Sequence, residues 1–146
     1  MRTSFLTLVL SVLSGLAFGQ AASINWMSFE EALVAQQESP RKIMMDVYTQ
    51  WCGPCKMMMA NTFTNANVIE YVNANYYAVK FDAESPDPVT FQGKEFTNPD
   101  YDPNRRGRNG VHQLSRAMKV SAYPTIVYLN EKASIIAPIS LSLIHI

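Results

Sequence analysis

The sequence predicts one small α/β domain, a sheet covered by helices on both faces. Three observations predict it. Short, almost wholly apolar runs alternate with segments of helical period, a hairpin closes the chain, and 146 residues leave room for one core. The composition agrees: at 48% hydrophobic and 16% charged, with 8 Pro and 6 Gly, the chain is neither disordered nor collagen-like. Lys+Arg and Asp+Glu balance at 12 each, which gives no electrostatic case for nucleic acid or an anionic membrane surface. With 2 Cys, a multi-disulfide scaffold and any four-cysteine zinc or iron–sulfur site are excluded.

Residues 1–19 read as an export signal rather than as structure. Arg2 gives a positive start, residues 5–18 form an apolar run, and Ala17-Phe18-Gly19 places small residues at a cut after Gly19. The run is shorter than the roughly 20 residues of a spanning helix. Residues 20–146 are then the mature domain, expected in a periplasmic or secreted, disulfide-permissive compartment.

Residues 24–26 suit a short edge strand, and Ser28 and Glu31 stand at capping-box spacing ahead of a helix that Pro40 stops. Residues 43–48 read as a buried strand because the run is apolar without alternation, Asp46 excepted. Helical patterns follow over 52–63 and 66–75, the second with Asn65 as its cap, and 76–81 is the next strand. Residues 83–111 hold most of the turn-forming Pro and Gly and read as an insertion. Within it, 89–97 suits a hairpin turning at Gly93-Lys94, a register that sets Phe91 opposite Phe96. Val111, Leu114 and Met118 mark a short helix, 125–129 a buried strand, and 134–137 its hairpin partner.

The chemistry concentrates in Trp51-Cys52-Gly53-Pro54-Cys55-Lys56, at the end of a strand and the start of a helix. A Cys-x-x-Cys pair also serves as half of many zinc sites, but the remaining nitrogen or sulfur ligands of the usual type are His112 and His145, which are remote in sequence. At a helix N-terminus, unpaired N–H groups and the dipole stabilise a thiolate on Cys52, while Cys55, one turn in, is expected to be more buried. The dipole contributes at most about 2 kcal/mol, so direct N–H hydrogen bonds to the sulfur are needed as well. Cys52 is thus the attacking sulfur and Cys55 the resolving one. Met44, Met45, Met57, Met58 and Met59 suggest copper less than core packing, since adjacent helical positions diverge. Asp100 to Asn104 imitates a calcium loop but lacks its Gly and closing Glu. Arg105, Arg106 and Arg108 read as a solvated loop tip, with docking of an acidic partner as the alternative.

The Trp-Cys-Gly-Pro-Cys-Lys motif, Asp46 six residues before Cys52, and the later Tyr123-Pro124-Thr125 together resemble the thioredoxin family over about residues 24–139. The resemblance implies a thioredoxin-like fold with a central mixed sheet. It matches Asp46 to the buried acid that exchanges a proton with the resolving cysteine, and Lys80 to the lysine beside that acid. Pro124 matches the cis-proline facing the dithiol, Tyr123 supplies backbone to an extended substrate, and Trp51, Gly53 and Pro54 border the site. A strand-end Asp46 facing water, a Lys80 reaching to solvent and a trans Pro124 are the structural alternatives.

Two features depart from the family pattern: the 83–111 insertion, and residues 141–146, which resemble translated adapter sequence where a last helix is expected. The activity implied is thiol–disulfide exchange on protein disulfides by a monomer. It uses a Cys52–Cys55 redox disulfide, with no metal or other cofactor, and is recharged by a membrane electron donor. The rival reading is a peptide-binding or chaperone module of the same fold with a vestigial dithiol.

Overall fold

The computed structural model describes residues 23–141, so residues 1–19, read above as an export signal, and residues 142–146 of the tail lie outside the described residues. In chain order the elements are β1 (Trp26–Met27), α1 (Phe29–Glu38), β2 (Lys42–Tyr48), α2 (Gly53–Asn61), α3 (Ala66–Asn75) and β3 (Tyr76–Asp82). They continue with β4 (Val89–Phe91), β5 (Lys94–Phe96), α4 (Gln113–Ala117), β6 (Thr125–Leu129) and β7 (Ile135–Ser140). The main sheet runs β1-β3-β2-β6-β7. β1, β3 and β2 are parallel, whereas β6 runs antiparallel to β2 and β7 antiparallel to β6, a mixed sheet.

Local chemistry sets the helix starts. Glu31 N–H donates to Ser28 Oγ and Ser28 N–H to Glu31 Oε2, a complete capping box. Asn65 Oδ1 caps α3 by accepting from the N–H groups of Asn67 and Val68.

β2 is the middle strand, apolar on both faces because both are covered. Ile43, Met45 and Val47 join Phe29, Ala32, Leu114 and Met118 in the larger core, to which the hairpin adds Val89, Phe91 and Phe96. Met44, on the opposite face, packs with Met58 of α2, Ile69 and Val72 of α3, and Phe63 between the two helices. Each such side chain fully removed from water contributes about 1.5–3 kcal/mol. β7 extends to Ser140 and carries Pro138, which a sheet edge tolerates.

The small hairpin corrects one expectation. Its turn is Gln92-Gly93, not Gly93-Lys94, so Val89 pairs with Phe96 and Phe91 with Lys94. Both turn residues have positive φ, 51° and 73°, the pattern of a two-residue type I′ turn whose twist matches the strands. That turn takes Gly second, which moves the turn by one residue and the partner of Phe91 by two, from Phe96 to Lys94. We expect Gln92→Asn to stabilise the domain by about 0.5 kcal/mol and Gly93→Ala to destabilise it by about 1 kcal/mol, since Asn accepts the left-handed region and Ala resists it. Urea unfolding of both variants measures the two shifts.

Candidate active site

β2 ends at Tyr48, and a turn closed by Cys52 N–H on the Thr49 carbonyl delivers Cys52 to the first turn of α2. Cys52 is the N-cap: Cys55 N–H donates to its Sγ at 3.1 Å, as a serine N-cap would accept. Pro54 fits the first turn, where its missing N–H removes no intrahelical bond. Cys52 and Cys55 are joined as a disulfide with Cα atoms 5.3 Å apart. Exposure does not distinguish the two sulfurs, contrary to the expectation that Cys55 is the more buried: both residues are 2% exposed. Linked in one bond, they share one environment, and the difference between them is the N–H that points at Cys52.

On β2, Asp46 is fully buried rather than facing water. The parallel register sets it beside Lys80, whose Nζ donates to Oδ2 at 2.7 Å. Lys80 therefore turns to the acid instead of to open solvent. Its Nζ also lies 3.2 Å from Met59 Sδ and 4.1 Å from the centroid of the Tyr48 ring, which holds the ammonium by its π face. Asp46 Oδ1 is buried and has no hydrogen-bond partner among the described residues. Burial pushes the Asp46 carboxyl above its ordinary value of 3.8, opposed by the Lys80 hydrogen bond and charge. A cleft of about 360 Å3 opens here, lined by Tyr48, Thr49, Cys55, Lys56, Met59 and Lys80.

β6 supplies the opposite wall. Thr125 pairs with Val47, so the Tyr123–Pro124 peptide, which is cis, sits at the end of the sheet where β2 gives way to the dithiol turn. The Tyr123 ring meets Trp51 edge to face, centroids 5.9 Å apart. Burial, then the Glu84 and Asp82 charges, push the Tyr123 phenol up, which keeps this wall uncharged.

The insertion reaches the site as well. Glu84 Oε1 accepts from Trp51 Nε1 and from Asn109 N–H, both at 2.9 Å, and Arg108 stacks over the Trp51 ring at 4.3 Å. Arg108 is thus no free loop tip. Asn98 Nδ2 holds the Gly110 carbonyl at 2.8 Å, and a Cβ on Gly110 would lie 2.4 Å from the Asp100 carbonyl carbon, so only glycine lets the two arms of this loop, a strap across the insertion, approach. His112, considered above as a metal ligand, is buried with Nδ1 accepting from Leu114 N–H and Nε2 against the Asp87 carbonyl. Among the described residues no group of three or more His, Cys, Asp or Glu is placed to hold a metal.

The structure therefore brings Cys52, Cys55, Asp46, Lys80, Trp51, Gly53, Pro54, Tyr123 and Pro124 to one end of the sheet. Sequence reasoning missed Tyr48, Met59, Glu84, Arg108 and Asn109. Tyr48 was within reach, since it follows Asp46 by two on a strand and shares its face.

The profile of the thioredoxin-like domain family matches residues 29–140. The chain belongs to the thioredoxin-like family. Among solved structures, it is similar to DsbH oxidoreductase at 14% identity and TM-score 0.58, covering 97% of this chain and 85% of that one. It is also similar to a candidate disulphide-isomerase from Bacteroides thetaiotaomicron, at 25% identity and TM-score 0.57 over 84% of each chain. The first likeness speaks to the fold alone. Rice (Oryza sativa subsp. japonica) chloroplastic thioredoxin F is 40% identical over 40 residues, 27% of this chain. The chain spans 20% and 61% of the lengths of two curated relatives, that protein and an uncharacterized protein of Archaeoglobus fulgidus.

The raised Asp46 pKa fixes a pH signature. Unfolded, the carboxyl loses its proton near 3.8; folded, it holds it to higher pH, so the native state loses stability as pH rises from about 4 through the folded value. Asp46→Asn in the disulfide form lacks this loss. Its stability relative to the parent should climb across that window and then level off, as denaturant melts at stepped pH will record. A gap that shrinks as pH rises would contradict the assignment.

Proposed function

We propose that this protein is an exported thiol–disulfide oxidoreductase that reduces disulfides in protein substrates through Cys52 and Cys55. The observation that carries the reading is the Cys55 N–H aimed at Cys52 Sγ on the helix N-cap, because the same donor that holds the sulfur here stabilises it as a thiolate. In the reduced protein, Cys52 thiolate attacks a substrate disulfide, forming a mixed disulfide and expelling one substrate sulfur as thiolate. Cys55 gives its proton to Asp46, whose Oδ1 has a free lone pair, and attacks Cys52 Sγ. The second substrate sulfur leaves, and two electrons have passed from the dithiol to the substrate.

Several parts of the site suit this sequence of steps. Burial raises the proton affinity of Asp46 and Lys80 tempers the rise, and the cleft beside Cys55 and Lys80 gives the proton a way out. Trp51, Gly53 and Pro54 form the rim; Tyr123 and Pro124 present backbone to an extended substrate segment. A Cβ on Gly53 would meet nothing within 4 Å, as an open front requires. The chemistry needs no cofactor beyond the cysteine pair.

The export signal over 1–19 supports a periplasmic or secreted location, where a reductant needs a membrane electron donor to be recharged. We take the working form to be a monomer. The expected result is that the protein, with dithiothreitol as reductant, reduces insulin, that Cys52→Ser abolishes turnover, and that Cys55→Ser accumulates a mixed disulfide. Absence of insulin reduction by a folded protein would favour the binding-module reading instead.

A further inference from the structure

Beside the dithiol lies a second cleft, of about 590 Å3, that the exchange steps above leave unused. Its lining includes Trp51 and Tyr123, the immediate neighbours of Cys52 and Pro124 in the chain, together with Val120 and Ala122. Two guanidinium groups border it, Arg108 from the insertion and Arg116 from α4. The one carboxylate in the lining, Glu84, is already engaged by Trp51 Nε1 and Asn109 N–H. The cleft therefore combines an aromatic and apolar lining with two guanidinium groups.

The two arginines are unequally occupied. Arg108 lies with its guanidinium over the Trp51 ring, and among the described residues no carboxylate stands within ion-pair distance of it. A planar guanidinium stacked on an aromatic face keeps N–H donors at its edge, in the fork that a carboxylate accepts. Arg116 holds a carboxylate of the same chain: Asp100 Oδ2 is 3.5 Å from its Nη2, with both side chains about two-thirds exposed. Such a long, solvated pair is weak and exchangeable. Asp100 shows which chemistry this rim accepts.

We propose that Arg108 and Arg116 form a specificity site for an acidic side chain in the segment flanking the substrate's reactive disulfide, with Asp100 as an internal competitor on Arg116. The inference rests on the oxidoreductase reading and names its substrate class: protein disulfides with Asp or Glu near the cysteine that Cys52 attacks. Substrates with basic flanks meet like charge at the rim and are disfavoured.

The test uses the mature chain with dithiothreitol as reductant, and three disulfide peptides of equal length whose flanks carry Asp, Asn or Lys. Bis(2-hydroxyethyl) disulfide serves as an uncharged reference. kcat/KM for the acidic peptide should exceed that for the neutral one several-fold, the basic peptide should rank last, and the preference should shrink as salt rises. Arg108→Gln and Arg116→Gln should each lower the acidic-to-neutral ratio several-fold, mainly through KM; Asp100→Asn should raise it. Turnover of the reference disulfide without charge preference, or a ratio that neither arginine variant changes, overturns the inference and leaves the oxidoreductase reading standing. No turnover of any disulfide overturns both.

Discussion

A carboxylate in the middle strand of the sheet is the constraint on which this molecule is arranged. Asp46 stands on β2, the strand with neighbours on both sides and helices on both faces, and it is fully buried. A buried charge with no partner is expensive, so the position demands a cation, and the parallel register with β3 supplies Lys80 at 2.7 Å. Lys80 in turn needs surroundings that tolerate an ammonium only partly in contact with water. Tyr48 offers a π face and Met59 a sulfur lone pair, and both line the cleft that admits solvent. Two apolar strands, one aromatic ring and one helix thus hold a single charged pair whose lysine lines the same cleft as Cys55. The pair is a poor device for stability, since hydrophobic replacements of buried ion pairs are often neutral or better. Its location accords with the proton exchange with Cys55 proposed above.

The insertion has a different relation to the site. It contributes no thiol or proton carrier, yet it fixes the ring next to the attacking sulfur from two directions, by Glu84 on the indole N–H and Arg108 on the face. Tyr123 closes the third side. Trp51 is nonetheless 36% exposed, so the ring keeps a surface for a partner while its orientation is set. Each contact depends on backbone brought close by the strap: Asn109 is tied to Glu84, and Gly110 lies against Asp100 with no room for a side chain. The packing of Val89, Phe91 and Phe96 into the larger core anchors this segment to the domain, so the strap has a rigid base.

Much of this was legible in the sequence, for identifiable reasons. The buried strands appear as unbroken apolar runs, the starts of α1 and α3 as cap residues at the right spacing, and the dithiol as a strand-to-helix junction. The thioredoxin-like fold follows from the motif and from the order of elements together. The hairpin register was misread because Gln92-Gly93 and Gly93-Lys94 both place glycine in a two-residue turn, and only the positive φ of Gln92 separates them. Glu84 and Arg108 left no trace, because a carboxylate held by an indole N–H and a guanidinium stacked on a ring have no periodicity. They depend on the path of a loop, which turn residues announce without specifying.

The same contrast separates the two kinds of chemistry at this end of the sheet. Thiol exchange needs groups whose positions follow from regular structure: a helix N-cap for Cys52, a strand register for Asp46 and Lys80, and the start of β6 for Pro124. Such groups keep their geometry as long as the sheet exists, and any disulfide that reaches Cys52 meets the same chemistry. Choice among disulfides requires contacts beyond the reacting atoms, and those come from a segment that can vary without disturbing the sheet. Trp51 is where the two meet, one residue from the sulfur and clasped by the insertion. On the proposed mechanism, a change in the strap therefore alters which substrate surface fits beside Cys52, while the Asp46–Lys80 pair, held by the register of β2 and β3, still takes up the proton of Cys55.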